Sequence, residues 1–199
     1  MSKIILASGS TARAQALRSA GVHIDEIIPA KIDEDEVKNS FRAEGRSARD
    51  LADALAEIKA RRVSSSHSQA LVLGADQVLV PDGQVFDKPK DVSEARDQLA
   101  MLRGTSHELL SAAVICEDGA PVWRHIGAVR MTMRPFSDAF LDDYVTREGE
   151  RLCETVGAYR IEEAGAQLFS RISGDYFSIL GLPLLEILGF LRARGELIE

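Results

Sequence analysis

Two serines and an arginine follow the first apolar segment of the chain, Ile4-Ile5-Leu6-Ala7. Ser8, Ser10 and Arg13 stand where this predicted strand passes into a predicted helix. A helix start exposes backbone N–H groups and favours an anion, and the hydroxyls and the guanidinium add further donors. The pattern therefore predicts a phosphate site. A plain helix cap at Ser10 and a solvated Arg13 explain these residues equally well.

Four charged residues further along the chain are of the types that phosphoryl chemistry uses. Lys59 lies at the edge of the apolar stripe of a predicted helix, and Asp76 directly follows a continuous apolar strand. Lys88 precedes a proline, and Glu34 belongs to a predicted acidic loop. Each also has an ordinary interpretation: a lysine reaching out of the core, a turn-forming aspartate, a surface lysine and a solvated charge.

Taken together, these residues predict a polyphosphate site. The serines and the arginine would bind phosphate, and Lys59 and Lys88 would neutralise its charge. Asp76 and Glu34 would hold a divalent metal or activate water. Phosphoryl chemistry depends mainly on positioning and charge neutralisation, which these residue types supply. The chain contains neither a P-loop nor a GxGxxG motif.

Composition narrows the class of protein. The chain has 199 residues, 45% of them hydrophobic and 28% charged, with a net charge of −7. Without a long basic stretch, a nucleic acid polymer is not an expected partner. Cys116 and Cys153 are too few for a disulfide framework, and no signal peptide or membrane-spanning stretch stands out. These features indicate a cytoplasmic protein.

Strand and helix signals alternate, which predicts a mixed α/β protein forming one domain over residues 1–199. A second lobe is suggested at about 106–134. Strands are expected at 24–32, 70–75, 109–116 and 122–133, a hairpin at 78–86, and mixed strand and turn signals at 156–172. Helices are expected after Arg13 and at 47–62, 93–103, 137–147 and 182–194.

The segment from Ile5 to Arg13, ILASGSTAR, resembles the S-x-S-x-x-R signature of the Maf family of nucleoside triphosphate pyrophosphatases. Further motifs keep the order and spacing of that family over nearly the whole chain: Asp33-Glu34, the stretch 54–60, 74–77, Lys88-Pro89, 102–107, 157–159 and 179–183.

The resemblance implies an elongated Maf/ITPase-like fold, with two lobes around a central mixed sheet, a deep cleft and a homodimer. It implies hydrolysis of a nucleoside triphosphate to the monophosphate and pyrophosphate with a divalent cation, Mg²⁺ or Mn²⁺. It assigns the triphosphate grip to Ser8, Ser10 and Arg13, and charge stabilisation to Lys59 and Lys88.

By the same resemblance, Asp76 is the general base for water attack at the α-phosphate, and Glu34 helps to hold the metal. Gln77 stands where the commonest family pattern has threonine, Glu162 where it has glutamine, and no lysine stands near Thr155. Those positions resemble the subgroup that acts on 7-methyl-GTP. Gln77 and Glu162 are therefore expected to bind the substrate.

The chemistry of the base supports this expectation, because a carboxylate only accepts hydrogen bonds. Guanine offers two adjacent donors and N7-methylation adds a positive charge, whereas uracil and thymine offer one donor between two carbonyls. Two alternatives stay open: a dTTP/UTP-type house-cleaning pyrophosphatase, and a nucleotide-binding regulator of cell division without turnover. A scaffold protein finds no support in any apolar repeat or coiled-coil heptad.

Overall fold

A six-stranded sheet is the framework of the protein, whose computed structural model describes residues 2–198. Over these residues the strand order is β2-β1-β3-β4-β5-β6, with β1 parallel to both β2 and β3, and β5 antiparallel to β6. The mixed α/β class is thereby confirmed. The strands are β1 (Lys3–Leu6), β2 (Glu26–Ile27), β3 (Ala70–Pro81), β4 (Ser106–Glu117), β5 (Ala120–Met133) and β6 (Phe169–Ser173).

Seven α-helices and two 3₁₀ helices accompany the sheet in the described part of the chain. The 3₁₀ helices span Gly149–Glu154 and Ala164–Leu168. None of the helices described is long and apolar enough to cross a membrane. The α-helices are α1 (Thr11–Ser19), α2 (Glu34–Ala43), α3 (Ala48–Ser64), α4 (Val92–Leu102), α5 (Asp138–Glu148), α6 (Tyr176–Ile179) and α7 (Leu184–Ala193).

The chain divides into two compact units. The first comprises Met1–Gln77, Leu110–Gly127 and Asp175–Glu199, and the second comprises Val78–Leu109 and Ala128–Gly174. The segment 106–134, suggested by the sequence as a second lobe, is shared between them: 110–127 belongs to the first unit and its two ends to the second.

The core of the first unit lies on both faces of β1. Ile4 and Leu6 pack on one face with residues of α1 and α7, while Ile5 and Ala7 pack on the other with Val63 of α3. Successive side chains of a strand point to opposite faces, so a strand covered on both sides needs a continuous apolar run. This explains why the opening sequence is apolar without alternation.

Helix α3 approaches β3 unusually closely at Gly74. A Cβ at this position would lie 2.2 Å from the carbonyl oxygen of Ala56 and 2.6 Å from the backbone nitrogen of Ala60. Ala52, Ala56 and Ala60 recur every four residues and are fully buried, so α3 presents a face of small side chains. Glycine on the strand and alanine on the helix together permit this short separation.

Two predicted segments differ in the structure. The acidic run at Asp33 is not a loop: Asp33 caps helix α2 by accepting a bond from the Glu36 backbone N–H at 3.0 Å, and Glu34 is the first helical residue. Acidic side chains stabilise a helix N-terminus, which explains the helix. The strand expected at 24–32 is reduced to Glu26–Ile27.

The third strand also differs from its prediction. β3 continues from Ala70 to Pro81, so Asp76 lies within the strand and not after its end. The expected hairpin is limited to one antiparallel bridge between Leu79 and Phe86, with Asp82 and Gly83 both at positive φ in the turn.

A buried aromatic cluster centres on His107 in the second unit. Its Nε2 lies 2.9 Å from the hydroxyl oxygen of Tyr159, and the Tyr159 ring packs edge-on against Phe169 at 4.8 Å. His107 is only 2% exposed, and burial lowers its pKa to about 4. The imidazole is therefore neutral at neutral pH and serves as a packed polar group of the core.

We expect Gly74→Ala to lower the free energy of unfolding by roughly 3 kcal/mol, because the new methyl group overlaps the backbone of α3. Gly189→Ala is the matched control: Gly189 is an exposed residue of α7, and a Cβ there meets nothing within 4 Å. That variant should gain up to about 1 kcal/mol from helix propensity. Urea denaturation of both variants measures the difference, and equal stabilities would contradict the close packing.

Stability should fall as the pH drops below about 6.5, because the unfolded chain then protonates His107 while the folded protein does not until about pH 4. The loss attributable to this residue is on the order of 2–3 kcal/mol across the window. Urea denaturation between about pH 7 and about pH 4.5 tests it. The slope of the free energy of unfolding against pH gives the number of protons taken up on unfolding, and His107→Gln should lower that number by about one. An unchanged slope would contradict the burial of a neutral imidazole.

Candidate active site

The turn after β1 places two serine hydroxyls beside the start of α1. Ser8 Oγ accepts a bond from the Ser10 backbone N–H at 3.3 Å, and Ser10 Oγ caps the helix by accepting from the Arg13 N–H at 3.4 Å. The capping interpretation of Ser10 is thus confirmed. Neither bond uses the single O–H donor that each hydroxyl carries, so both residues retain a donor that suits an anion.

Arg13 is held by three hydrogen bonds and is not a solvated side chain. Nε donates to the carbonyl oxygen of Gly181 at 3.0 Å, and Nη1 donates to the carbonyl oxygen of Ala75 at 2.9 Å and to Ser8 Oγ at 3.2 Å. Burial lowers the pKa of Arg13, while the nearby Asp76 carboxylate raises it. Two of the guanidinium nitrogens that were expected to bind phosphate therefore donate hydrogen bonds to the protein's own backbone.

Lys59 joins the two predicted acidic residues. Its Nζ lies 2.6 Å from Asp76 Oδ1 and 2.8 Å from Glu34 Oε1. The side chains of Lys59 and Asp76 are about one-tenth exposed, whereas Glu34 is 41% exposed. The ammonium of Lys59 is therefore directed at these two carboxylates and not out to solvent.

Asp76 reaches this position because β3 runs on beyond the end of β1. The last main-chain bond between the two segments joins the Ala7 N–H to the Leu73 oxygen at 2.8 Å, and Asp76 follows three residues later. Burial raises the pKa of Asp76, and the charges of Lys59 and Arg13 oppose that rise. A buried carboxylate with two cationic neighbours combines basicity with a fixed orientation.

Gln77 has a structural environment that the sequence did not reveal. Its Nε2 donates to Ser111 Oγ at 2.9 Å and to the carbonyl oxygens of Ser178 and Ile179, each at 3.0 Å. The amide nitrogen of the side chain is thus committed to the segment that contains α6. Any contact of Gln77 with a substrate would have to use its Oε1 acceptor.

Lys88 and Glu162 belong to the second unit, whereas the other seven predicted site residues belong to the first. Lys88 is exposed in an extended segment that precedes α4. Glu162 lies in an exposed turn, with Oε1 3.8 Å from Nε of Arg160. This neighbour offsets part of the negative charge of Glu162.

Three residues around the site were not predicted as site residues: Ser111, Ser178 and Gly181, of which Gly181 lies within the matching stretch 179–183. Ser111 Oγ donates to the Ser178 oxygen at 2.6 Å, and the Gly181 oxygen receives Arg13. Gly181 has φ +96°, and a Cβ there would lie 3.1 Å from Nε of Arg13. A glycine just before Leu182-Pro183 is a local signal of such a turn, whereas nothing local identifies Ser111 or Ser178.

Comparison with known proteins adds to this geometry. The sequence profile of the Maf family, described as Maf-like protein, matches residues 3–194. The chain belongs to the Maf family.

Several relatives within this family are similar over nearly their whole lengths. A nucleoside triphosphate pyrophosphatase of Roseobacter denitrificans is 54% identical, over 98% of this chain and 97% of the relative. Proteins of the same name from Granulibacter bethesdensis and Caulobacter vibrioides are 50% and 48% identical, covering 98% and 99% of this chain and 98% of each relative. These names describe the relatives and specify no base.

The site fits a hard divalent cation only if the substrate supplies ligands. Glu34 and Asp76 direct carboxylate oxygens at one cationic centre, the ammonium of Lys59. Among residues 2–198 no group of three or more histidine, cysteine, aspartate or glutamate side chains could hold a metal ion. Mg²⁺ in proteins is commonly coordinated by one or two carboxylates together with phosphate oxygens and water, and the carboxylates of Glu34 and Asp76 agree with this pattern.

We expect Arg13→Lys to lower the free energy of unfolding by about 1–3 kcal/mol, because one ammonium cannot replace the bonds to both Gly181 and Ala75. Arg18→Lys is the control, since Arg18 is an exposed residue of the same helix. Urea denaturation measures both variants. A stability of Arg13→Lys equal to that of the parent would show that these bonds contribute little.

Proposed function

We propose that the chain hydrolyses a nucleoside triphosphate to the monophosphate and pyrophosphate. The observation that carries this proposal is the contact of the buried Lys59 ammonium with Asp76 and Glu34, beside Arg13. The serines of the first turn lie next to Arg13, and Ser8 accepts a hydrogen bond from it. A phosphate group needs donors and positive charge, and an attacking water needs a base. The names of the relatives across the family agree with this chemistry.

In the proposed reaction, the first turn binds the triphosphate. The hydroxyls of Ser8 and Ser10 donate hydrogen bonds to phosphate oxygens. The N-terminus of α1 favours the negative charge of those oxygens. Arg13 adds a fixed positive charge beside them while it holds the Ala75 and Gly181 carbonyls. Lys88, which belongs to the second unit, stays a prediction from the resemblance to the family pattern, as a second lysine that neutralises phosphate charge.

Asp76 then acts as the general base. Its carboxylate accepts a proton from water as the oxygen attacks the α-phosphorus, and the bond from that phosphorus to the oxygen bridging to the β-phosphate breaks. Pyrophosphate leaves with the electron pair. Lys59 keeps the Asp76 carboxylate oriented through the 2.6 Å contact. A divalent cation, Mg²⁺ or Mn²⁺, held by Glu34 and Asp76, would supply charge stabilisation at the phosphates.

For the base we propose 7-methyl-GTP as the preferred substrate. The support is the carboxylate of Glu162, which suits the two donors of guanine and the positive charge of its N7-methylated ring. Arg160 at 3.8 Å moderates that charge without forming a close bond to it. The homodimer and the cytoplasmic location that the sequence suggests stay predictions.

Asp76→Asn should lower kcat by roughly two to four orders of magnitude, because the amide cannot accept the proton from water. Asp53→Asn is the control, an ion-paired and partly buried aspartate of the first unit. Pyrophosphate release with Mg²⁺ measures both variants, and a sample in excess chelator should be inactive. Near-normal turnover by Asp76→Asn would remove Asp76 from the mechanism, and no turnover of any triphosphate by the parent would overturn the proposed function.

A panel of nucleoside triphosphates tests the preference for the base. The parent should give its highest kcat/KM with 7-methyl-GTP, with dTTP and UTP lower by several orders of magnitude, as expected where a wrong base leaves polar groups unpaired. Glu162→Gln should reduce that ratio, while Glu150→Gln, which alters another exposed glutamate of the same unit, should leave it unchanged. Faster turnover of dTTP or UTP would refute the preference but not the pyrophosphatase activity.

A further inference from the structure

The ammonium of Lys59 occupies the point on which both acidic side chains of the site converge. It lies within 3 Å of a carboxylate oxygen from each of Glu34 and Asp76, at 2.8 Å and 2.6 Å. Lys59 and Asp76 are buried, so water screens this contact poorly. The protein therefore already holds one cation between the residues expected to hold another.

Four charged groups at this point carry two positive and two negative charges before any ligand binds. Two carboxylates, Glu34 and Asp76, face two cations, Lys59 and Arg13, and both carboxylates act electrostatically on Arg13. A divalent cation entering alone would leave a surplus of two positive charges in a poorly solvated site, which is unfavourable. A triphosphate brings the negative charge that would offset them.

We propose that Lys59 is a resident counter-ion of the two carboxylates, so that the free protein binds a divalent cation weakly and takes it up together with the triphosphate. The proposal rests on the proposed function, since it concerns the same site. When cation and nucleotide arrive together, the ammonium becomes available to phosphate oxygens, because a lysine carries three N–H donors.

Binding of Mn²⁺ in the absence of nucleotide tests this role directly. Electron paramagnetic resonance of the free ion compares the parent with Lys59→Met and with Lys31→Met, a control that removes the charge of an exposed lysine of the same unit. Lys59→Met should bind one Mn²⁺ roughly ten-fold or more tightly than either the parent or Lys31→Met. A change in affinity of this size is expected when a nearby positive charge is removed from a partly buried site. Adding Glu34→Gln to Lys59→Met should abolish the gain.

The parent should acquire comparable Mn²⁺ affinity when a triphosphate analogue with a non-hydrolysable α,β-bridge is present. Circular dichroism supplies a second measurement, since Lys59→Met leaves two neighbouring carboxylates without their counter-ion and loses stability. Mn²⁺ should raise the melting temperature of that variant, or restore its fold, while leaving the parent unchanged.

Equal Mn²⁺ affinity of the parent and Lys59→Met without nucleotide would overturn the proposal. A Lys59→Met variant that stays unfolded in Mn²⁺ would also overturn it, because the metal was expected to replace the ammonium. Absence of hydrolysis by the parent would instead overturn the proposed function, and the nucleotide-free comparison would still decide the role of Lys59.

Discussion

The close contact between α3 and β3 is the constraint on which the site depends. Gly74 and the alanine face of α3 bring the two backbones nearer than any larger side chain would permit. Lys59 lies on this helix, one residue before Ala60, and Asp76 lies on this strand, two residues after Gly74, so their 2.6 Å contact is a consequence of the same packing. The absence of one side chain at Gly74 thus sets the distance between two functional groups.

A second set of contacts ties the segment around α6 to the site. Arg13 holds the Gly181 oxygen, Gln77 holds the Ser178 and Ile179 oxygens, and Ser111 also donates to Ser178. Buried carbonyl groups need donors, and two of the donors here, Arg13 and Gln77, belong to or adjoin the residues proposed to bind phosphate and to act as base. Substitution of Arg13 or Gln77 is therefore expected to alter this packing as well as any contact with the proposed substrate.

The charges of the side chains at the site balance one another, which none of these side chains could achieve alone. Lys59, Arg13, Asp76 and Glu34 have no net charge together, and burial makes the charges of Lys59, Arg13 and Asp76 costly to leave unpaired. Such a balanced group needs no ligand to offset its charges. In the proposed mechanism, this local balance allows an acidic protein, with a net charge of −7, to accept a triphosphate together with its divalent cation.

The sequence alone determined what depends on near neighbours in the chain. The apolar strand β1, the caps at Ser10 and Ser47, and the turn at Asp118-Gly119 follow from local chemistry, and motif order indicated the family. Helix α2 could also have been predicted from the sequence, since Asp33 and the three acidic residues after it are typical of a helix N-terminus.

Only the tertiary structure decided where the side chains of the site point. Arg13 bonds to a carbonyl 168 residues away and Gln77 to one 102 residues away, and no local pattern specifies such partners. The same holds for Lys59, whose choice between solvent and Asp76 rests on how closely α3 packs on β3. The sequence specifies the type of each side chain. The direction of that side chain depends on the partners that folding brings within hydrogen-bonding distance.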